Sequence, residues 1–150
     1  MQPRESPASA AAGKARPVAG SPSTSTGHRI LVIESDTTVA DSVASALRIA
    51  GHVVDTAGTR VDALARLKGY RYALVVSNLR MPDLNGPTLY EALAQHSPRT
   101  LPRVIFIARS AFSPEHSRFL MEVGVPVLVK PVNPTELWES VERLLGGSQV

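Results

Sequence analysis

The sequence predicts an α/β fold of five strand-helix units, and three observations carry that prediction. Five short apolar runs rich in Val, Ile and Leu each end at a polar, Pro or Gly position. Between them apolar residues recur every three or four positions, as on one face of a helix. The two patterns alternate from His28 to Leu145, which implies a parallel sheet, because right-handed crossovers then distribute the helices over both of its faces.

Taken in order, RILVIE (Arg29 to Glu34) is the first strand, followed by Val39, Val43, Leu47 and Ala50 at helical spacing, with Gly51 ending that helix. HVVDTA (His52 to Ala57) is the second strand. Thr59 and Asp62 form a capping pattern ahead of a helix with Val61, Leu64 and Leu67 on one face. The third strand spans Tyr72 to Ser77. Pro87 suits the first turn of a helix bearing Leu89, Leu93 and His96, and RVIFIA (Arg103 to Ala108) is the fourth strand. Ser113, Pro114 and Glu115 start a fourth helix with Phe119, Leu120 and Val123 inward. Val125 to Val129 is the fifth strand, with Pro126 compatible with its start at a sheet edge. Asn133 and Pro134 open the last helix, where Leu137, Val141, Leu144 and Leu145 keep the period until Gly146 and Gly147. The expected architecture is a flavodoxin-like (βα)5 three-layer sandwich with strand order 2-1-3-4-5.

Domain organisation follows from composition. Residues 1 to 27 are almost all Ala, Pro, Ser, Thr and Gly, too poor in apolar material to offset the entropy of ordering, and are expected to be a disordered tail. Pro3, Pro7, Pro17 and Pro22 argue against an amphipathic transit helix there. The folded domain is expected over residues 28 to 146, with a short flexible end at 147 to 150. The net charge of +3 is concentrated in the tail, where Arg4, Lys14 and Arg16 face only Glu5, so the domain is near neutral and has no basic groove for nucleic acid. No cysteine is present, and no apolar run approaches the ~18 residues of a membrane span, so a cytoplasmic protein without membrane attachment is expected.

Chemistry is expected at the stop of the third strand, in ALVVSNLRMPDLNG (Ala73 to Gly86). Ligands of open parallel sheets bind at the carboxyl ends of the strands, which makes Asn78 the pivotal position, with Ser77 turned to the opposite side. The histidines His28, His52, His96 and His116 share no metal-ligand spacing, so no zinc site is expected. Ser35, Ser77 and Ser110 lack a nucleophile-elbow context, and no Gly-rich phosphate loop follows any strand.

The segment NLRMPDLNG resembles the Asp-Leu-x-Met-Pro-x-x-x-Gly signature of response-regulator receiver domains, the phosphoacceptors of two-component phosphorelay signal transduction, with Asn78 at the Asp position. The resemblance runs from Arg29 to Leu145, and its last third looks most like the C-terminal receivers of hybrid histidine kinases. It implies that Lys130-Pro131 matches the family's Lys-Pro, whose Lys meets the phosphoryl group and whose peptide bond is usually cis. It also implies that Glu34 and Ser35 stand where the family has two Mg²⁺-binding acids, with Asp36 next, and that Ala108 stands where the family has a phosphate-binding Thr or Ser. Val127 replaces an aromatic switch residue.

An Asn amide is neutral and poorly nucleophilic, so acyl phosphate formation at position 78 is not expected. Glu34, Ser35, Asp36, Asn78, Ala108 and Lys130 then form a degenerate phosphoacceptor pocket, in which Lys130 is expected to pair with Glu34 or to donate to the Asn78 oxygen. No cofactor and no metal are expected, although Glu34 and Asp36 are residual ligands. The implied function is a non-enzymatic pseudo-receiver that binds a protein partner, such as a histidine kinase or another signalling protein, without phosphorylation control. The alternative is an active response regulator that uses Mg²⁺. The family resemblance places the interaction face on the fourth helix, fifth strand and fifth helix, here Phe112, His116, Val127 and Trp138, with Trp138 either a contact residue or a partly buried flank. A DNA-binding role finds no support in the residues after Leu145.

Overall fold

A computed structural model describes residues 27–96, 103–109 and 114–146. The elements alternate in chain order: β1 (Arg29–Ile33), α1 (Thr37–Ile49), β2 (Val53–Ala57), α2 (Arg60–Gly69), β3 (Leu74–Asn78), α3 (Gly86–His96), β4 (Val104–Ala108), α4 (Pro114–Val123), β5 (Val127–Val129) and α5 (Pro134–Leu145). The five strands form one sheet in the order β2-β1-β3-β4-β5, and every pairing is parallel. The predicted fold is the one observed.

Strand periodicity divides the core into two layers. On one face Leu31 and Ile33 of β1, Val75 of β3 and Phe106 of β4 pack with Ala63 and Leu67 of α2 and Leu89 and Leu93 of α3. Phe119, Leu120 and Val123 of α4 close that layer only in part. On the other face Ile30, Val32, Leu74, Val76, Ile105 and Ile107 meet Val43 and Leu47 of α1 and Leu137 and Val141 of α5. Successive strand residues point to opposite faces, so a run that is apolar at every position is what a sheet covered on both sides requires.

Two strands start two residues later than expected, and the other three differ by one residue at one end. β5 begins at Val127, not Val125, because Pro126 has no N–H to enter the ladder; its carbonyl still accepts from Phe106 N at 3.0 Å. β3 starts at Leu74, since Tyr72 just before it turns its hydroxyl onto Asp55 of β2 at 2.7 Å. The same Asp55 oxygen accepts from Arg29 at 2.8 Å, and Arg66 of α2 stands 3.8 Å from the other. Burial works to raise the Asp55 carboxyl, but the hydrogen bonds of Tyr72 and Arg29 and the two positive charges outweigh it and hold the group below its ordinary value. For Tyr72 burial, then the bond and charge of Asp55, push the phenol up.

The helix caps are local and polar. The Thr59 hydroxyl accepts from Asp62 N at 3.1 Å, as the sequence pattern predicts, and the Asn133 side chain accepts from Glu136 N at 3.1 Å. Gly86, at the start of α3, is closely packed: a Cβ there would lie 2.7 Å from Leu79 Cδ1 and 3.3 Å from the rings of Phe106 and Phe119, so these side chains would have to shift. The expected disordered tail, residues 1 to 27 except Gly27, and the expected flexible end at 147 to 150 lie outside the described residues.

Candidate functional site

Backbone hydrogen bonds bring the ends of all five strands to one edge of the sheet. Glu34 follows β1 and donates its N–H to Ala57 O of β2 at 3.0 Å; Leu79, just after Asn78, donates to Ile107 O of β4 at 2.8 Å; Lys130, just after β5, donates to Ala108 O at 2.9 Å. Glu34, Ser35, Asp36, Asn78, Ala108 and Lys130, the six residues expected to form the pocket, all line one cleft of about 460 Å³ at that edge.

Glu34 is the hub of the cleft floor. Its side chain is only 1% exposed, and such a carboxylate must be paired and hydrogen-bonded to stay charged. Lys130 Nζ lies 2.9 Å from Oε1, Asn78 Nδ2 donates to Oε2 at 3.1 Å, and Asp36 N donates to the same oxygen at 3.1 Å. Of the two expected partners of Lys130, the structure selects Glu34. Asn78 Oδ1 in turn accepts from Arg80 N at 3.3 Å, so both ends of the amide are engaged. The Lys130-Pro131 peptide is cis, as the family resemblance implies.

Asp36 has a different task from the one its position suggested. Its carboxylate is the N-cap of α1 and accepts from Thr38 N at 3.0 Å and Val39 N at 3.3 Å. Ser35 is exposed at the mouth, and Ala108, 4% exposed, brings a methyl where a hydroxyl would donate. Ser110 lies outside the described residues. The loop after Asn78 forms the remaining wall. It is closed by the Met81 N to Leu84 O bond at 2.9 Å and by the Gly86 N to Leu79 O bond at 2.8 Å, and its Asp83 carboxylate accepts from Arg60 N at the start of α2 at 2.9 Å.

The described residues include three of the four residues expected at the interaction face. Trp138 is half-buried and its Nε1 donates to Ala46 O of α1 at 2.9 Å, so it belongs to the α1–α5 layer and is a packing residue, not part of an exposed aromatic cluster. The reason is rotational: one residue off the Leu137–Val141 stripe turns a side chain by about 100° around the helix, here toward α1. Val127 is half-buried against the opposite core layer, His116 lines the cleft, and Phe112 lies outside the described residues. Two further lining residues, Arg80 and Arg109, escaped sequence reasoning; the signal for them was their place one or two residues beyond strand-ending positions. His28 and His52 are close to each other, with ring centroids 5.7 Å apart, but at the opposite edge of the sheet, and among the described residues no group of three or more His, Cys, Asp or Glu could hold a metal ion. Among those residues no helix is long and apolar enough to cross a membrane.

The model of the response regulator receiver domain matches residues 30–142. Transcriptional regulatory protein BasR of Escherichia coli (strain K12) is 30% identical over 118 residues, which cover 78% of this chain and 52% of BasR. The chain spans about half the length of most of the curated relatives it matches. Among solved structures, chemotaxis protein CheY4 of Vibrio cholerae superposes with a TM-score of 0.70 at 26% identity, covering 80% of this chain and all of CheY4. A CheY-like receiver domain protein from Methanospirillum hungatei JF-1 gives 0.72 at 28% identity, over 83% of this chain and 98% of that one. With the three-layer fold, the strand-end cleft and the cis Lys-Pro in place, this chain belongs to the response regulator receiver domains of two-component signalling.

Proposed function

We propose that this receiver works as a pseudo-receiver, a cytoplasmic protein-interaction module whose partner binding does not depend on phosphorylation. Receiver domains are signalling modules that interact with proteins such as histidine kinases. The observation that carries the proposal is the engagement of Glu34 by Lys130 Nζ at 2.9 Å and Asn78 Nδ2 at 3.1 Å. An ammonium already pairs with Glu34 Oε1 and a neutral amide donates to Oε2, and no anionic nucleophile faces the cleft from the end of β3.

The residues present do not fit Mg²⁺. That ion demands several oxygen ligands in near-octahedral array. Here Glu34 Oε1 accepts no hydrogen bond and is held in an ion pair by the Lys130 ammonium, Oε2 accepts from two N–H donors, one Asp36 oxygen caps α1, and positions 35 and 78 carry a hydroxyl and an amide. Phosphoryl transfer rests on positioning and on charge stabilisation by metal and donors, which Ser35, Asn78 and Ala108 do not supply.

The test is incubation of the full chain with acetyl phosphate or a histidine kinase in Mg²⁺, scored by mobility shift and hydroxylamine lability. No acyl phosphate is expected. Asn78→Asp alone should restore little, and Asn78→Asp with Ser35→Asp and Ala108→Thr should recover more. A Mg²⁺-dependent, hydroxylamine-labile phosphoprotein from the unaltered chain refutes the proposal.

A further inference from the structure

We infer that the cleft at the carboxyl edge of the sheet has reversed its charge preference and takes an oxyanion, inorganic phosphate or a phosphate monoester, held non-covalently. The inference rests on the reading that this cleft no longer holds a divalent cation. Its two carboxylates each spend one oxygen on N–H donors of the chain, and the other Glu34 oxygen is ion-paired with Lys130. Glu34 lies buried beneath Lys130 and Asn78, and the Asp36 oxygen is spent on the first turn of α1. The cations show the opposite pattern. Arg80 and Arg109 line the cleft from beyond the carboxyl ends of the neighbouring strands β3 and β4, and neither guanidinium has a carboxylate partner among the described residues.

A guanidinium presents paired N–H donors in a planar fork that matches the oxygens of phosphate, so two of them at one mouth form a geometric as well as a charge preference. The Ser35 hydroxyl adds a neutral donor on the same cleft. Asn78 matters here in a second way. A carboxylate at the end of β3 would place another negative charge on the cleft floor, next to Glu34, and repel an anion; the amide removes that repulsion. The volume of about 460 Å³ exceeds that of a bare phosphate, and Met81, Pro82 and Ala108 give part of the wall an apolar character, which a monoester with a small organic group would use.

The experiment is a ¹H–¹⁵N titration of the full chain at constant ionic strength, with inorganic phosphate, phenyl phosphate and Mg²⁺ as separate probes. Saturable shifts are expected for the amides of Ser35, Asn78, Arg80 and Arg109 with the phosphates, at concentrations on the order of 1–10 mM for a solvent-screened site. Tighter binding of phenyl phosphate than of inorganic phosphate identifies a monoester site; equal binding identifies the free ion. The variant Arg80→Gln/Arg109→Gln, altered only at exposed positions, should bind about fivefold more weakly, the combined effect of two exposed charge contacts. Absence of saturable shifts with either phosphate, or undiminished binding by the double variant, overturns the inference. Saturable Mg²⁺ binding together with phosphorylation would instead sink the pseudo-receiver reading, whereas silence toward all three probes leaves that reading in place and removes only the anion site.

Discussion

Replacing Asn78 by Asp tests the cleft floor directly. The Asn78 Nδ2 donor sits 3.1 Å from Glu34 Oε2, so the substitution puts a carboxylate oxygen where a donor was. Two unit charges at that separation repel by about 5 kcal/mol at an effective dielectric of ~20. Lys130, 2.9 Å from the other Glu34 oxygen, attracts the new charge, and rotation of the half-exposed side chain relieves more, so the net loss expected is ~2 kcal/mol. For a domain of this size that corresponds to a melting temperature lower by about 4–8 °C.

Urea unfolding followed by circular dichroism, in EDTA at pH 7, measures the loss. The sign of its pH dependence is fixed by the mutual repulsion, which raises a carboxyl pKa in the folded variant. The penalty is therefore present above that raised value and fades as the pH falls through it, when one proton bridges the pair. Added Mg²⁺ should restore part of the loss in Asn78→Asp and do nothing for the unaltered chain. A variant as stable as the parent in EDTA at pH 7 would refute the argument, because it would mean that the amide does not face Glu34 as a donor.

Gly86→Ala should destabilise the domain by ~1–3 kcal/mol, measured by urea unfolding, because the added methyl meets Leu79 Cδ1 at 2.7 Å and two rings at 3.3 Å. Trp138→Phe should cost about 1 kcal/mol by the same assay, since it removes the Nε1 donor and leaves the Ala46 carbonyl only the 3.3 Å bond from Ala50 N, and it should leave capture of a protein partner unchanged. His52 is held below its ordinary pKa by burial and then by the charge of His28, with Glu142 opposing. The folded state thus resists the proton that the unfolded chain accepts, and stability should fall as the pH drops from about 6.5 toward the depressed folded value, a slope that His52→Gln should flatten.

The fold was legible because every strand is apolar at nearly every position, which only a sheet covered on both faces explains, and because Thr59 and Asn133 mark helix starts with side chains that do cap them. The site was legible in its membership, since the strand-ending residues Glu34, Asn78, Ala108 and Lys130 must meet at one edge of a parallel sheet. Their pairing was only half legible. The sequence left Lys130 two partners, and the choice depends on the depth at which Glu34 is buried. Asp36 was read as a residual metal ligand because spacing gives a residue's order along the chain and not the direction of its side chain; the N-cap geometry of α1 decides that direction. For a related reason the sequence leaves Trp138 as either a contact residue or a partly buried flank, and the structure shows the partly buried flank. Its helix face is defined by neighbours in α1, far away in sequence, and no local pattern contains them.

The Trp138 to Ala46 bond joins residues 92 positions apart and ties the last helix of the chain to the first. Trp138 is also the chain's only tryptophan, so its fluorescence comes from one place, the seam where α5 closes against α1. The indole N–H loses its backbone acceptor and the ring meets water when that seam opens. Emission should therefore report closure of the chain's two ends, while circular dichroism follows the formation of strands and helices throughout. Read together in a single refolding experiment, the two signals would separate assembly of the sheet from the docking of its final helix, with no label added to the protein.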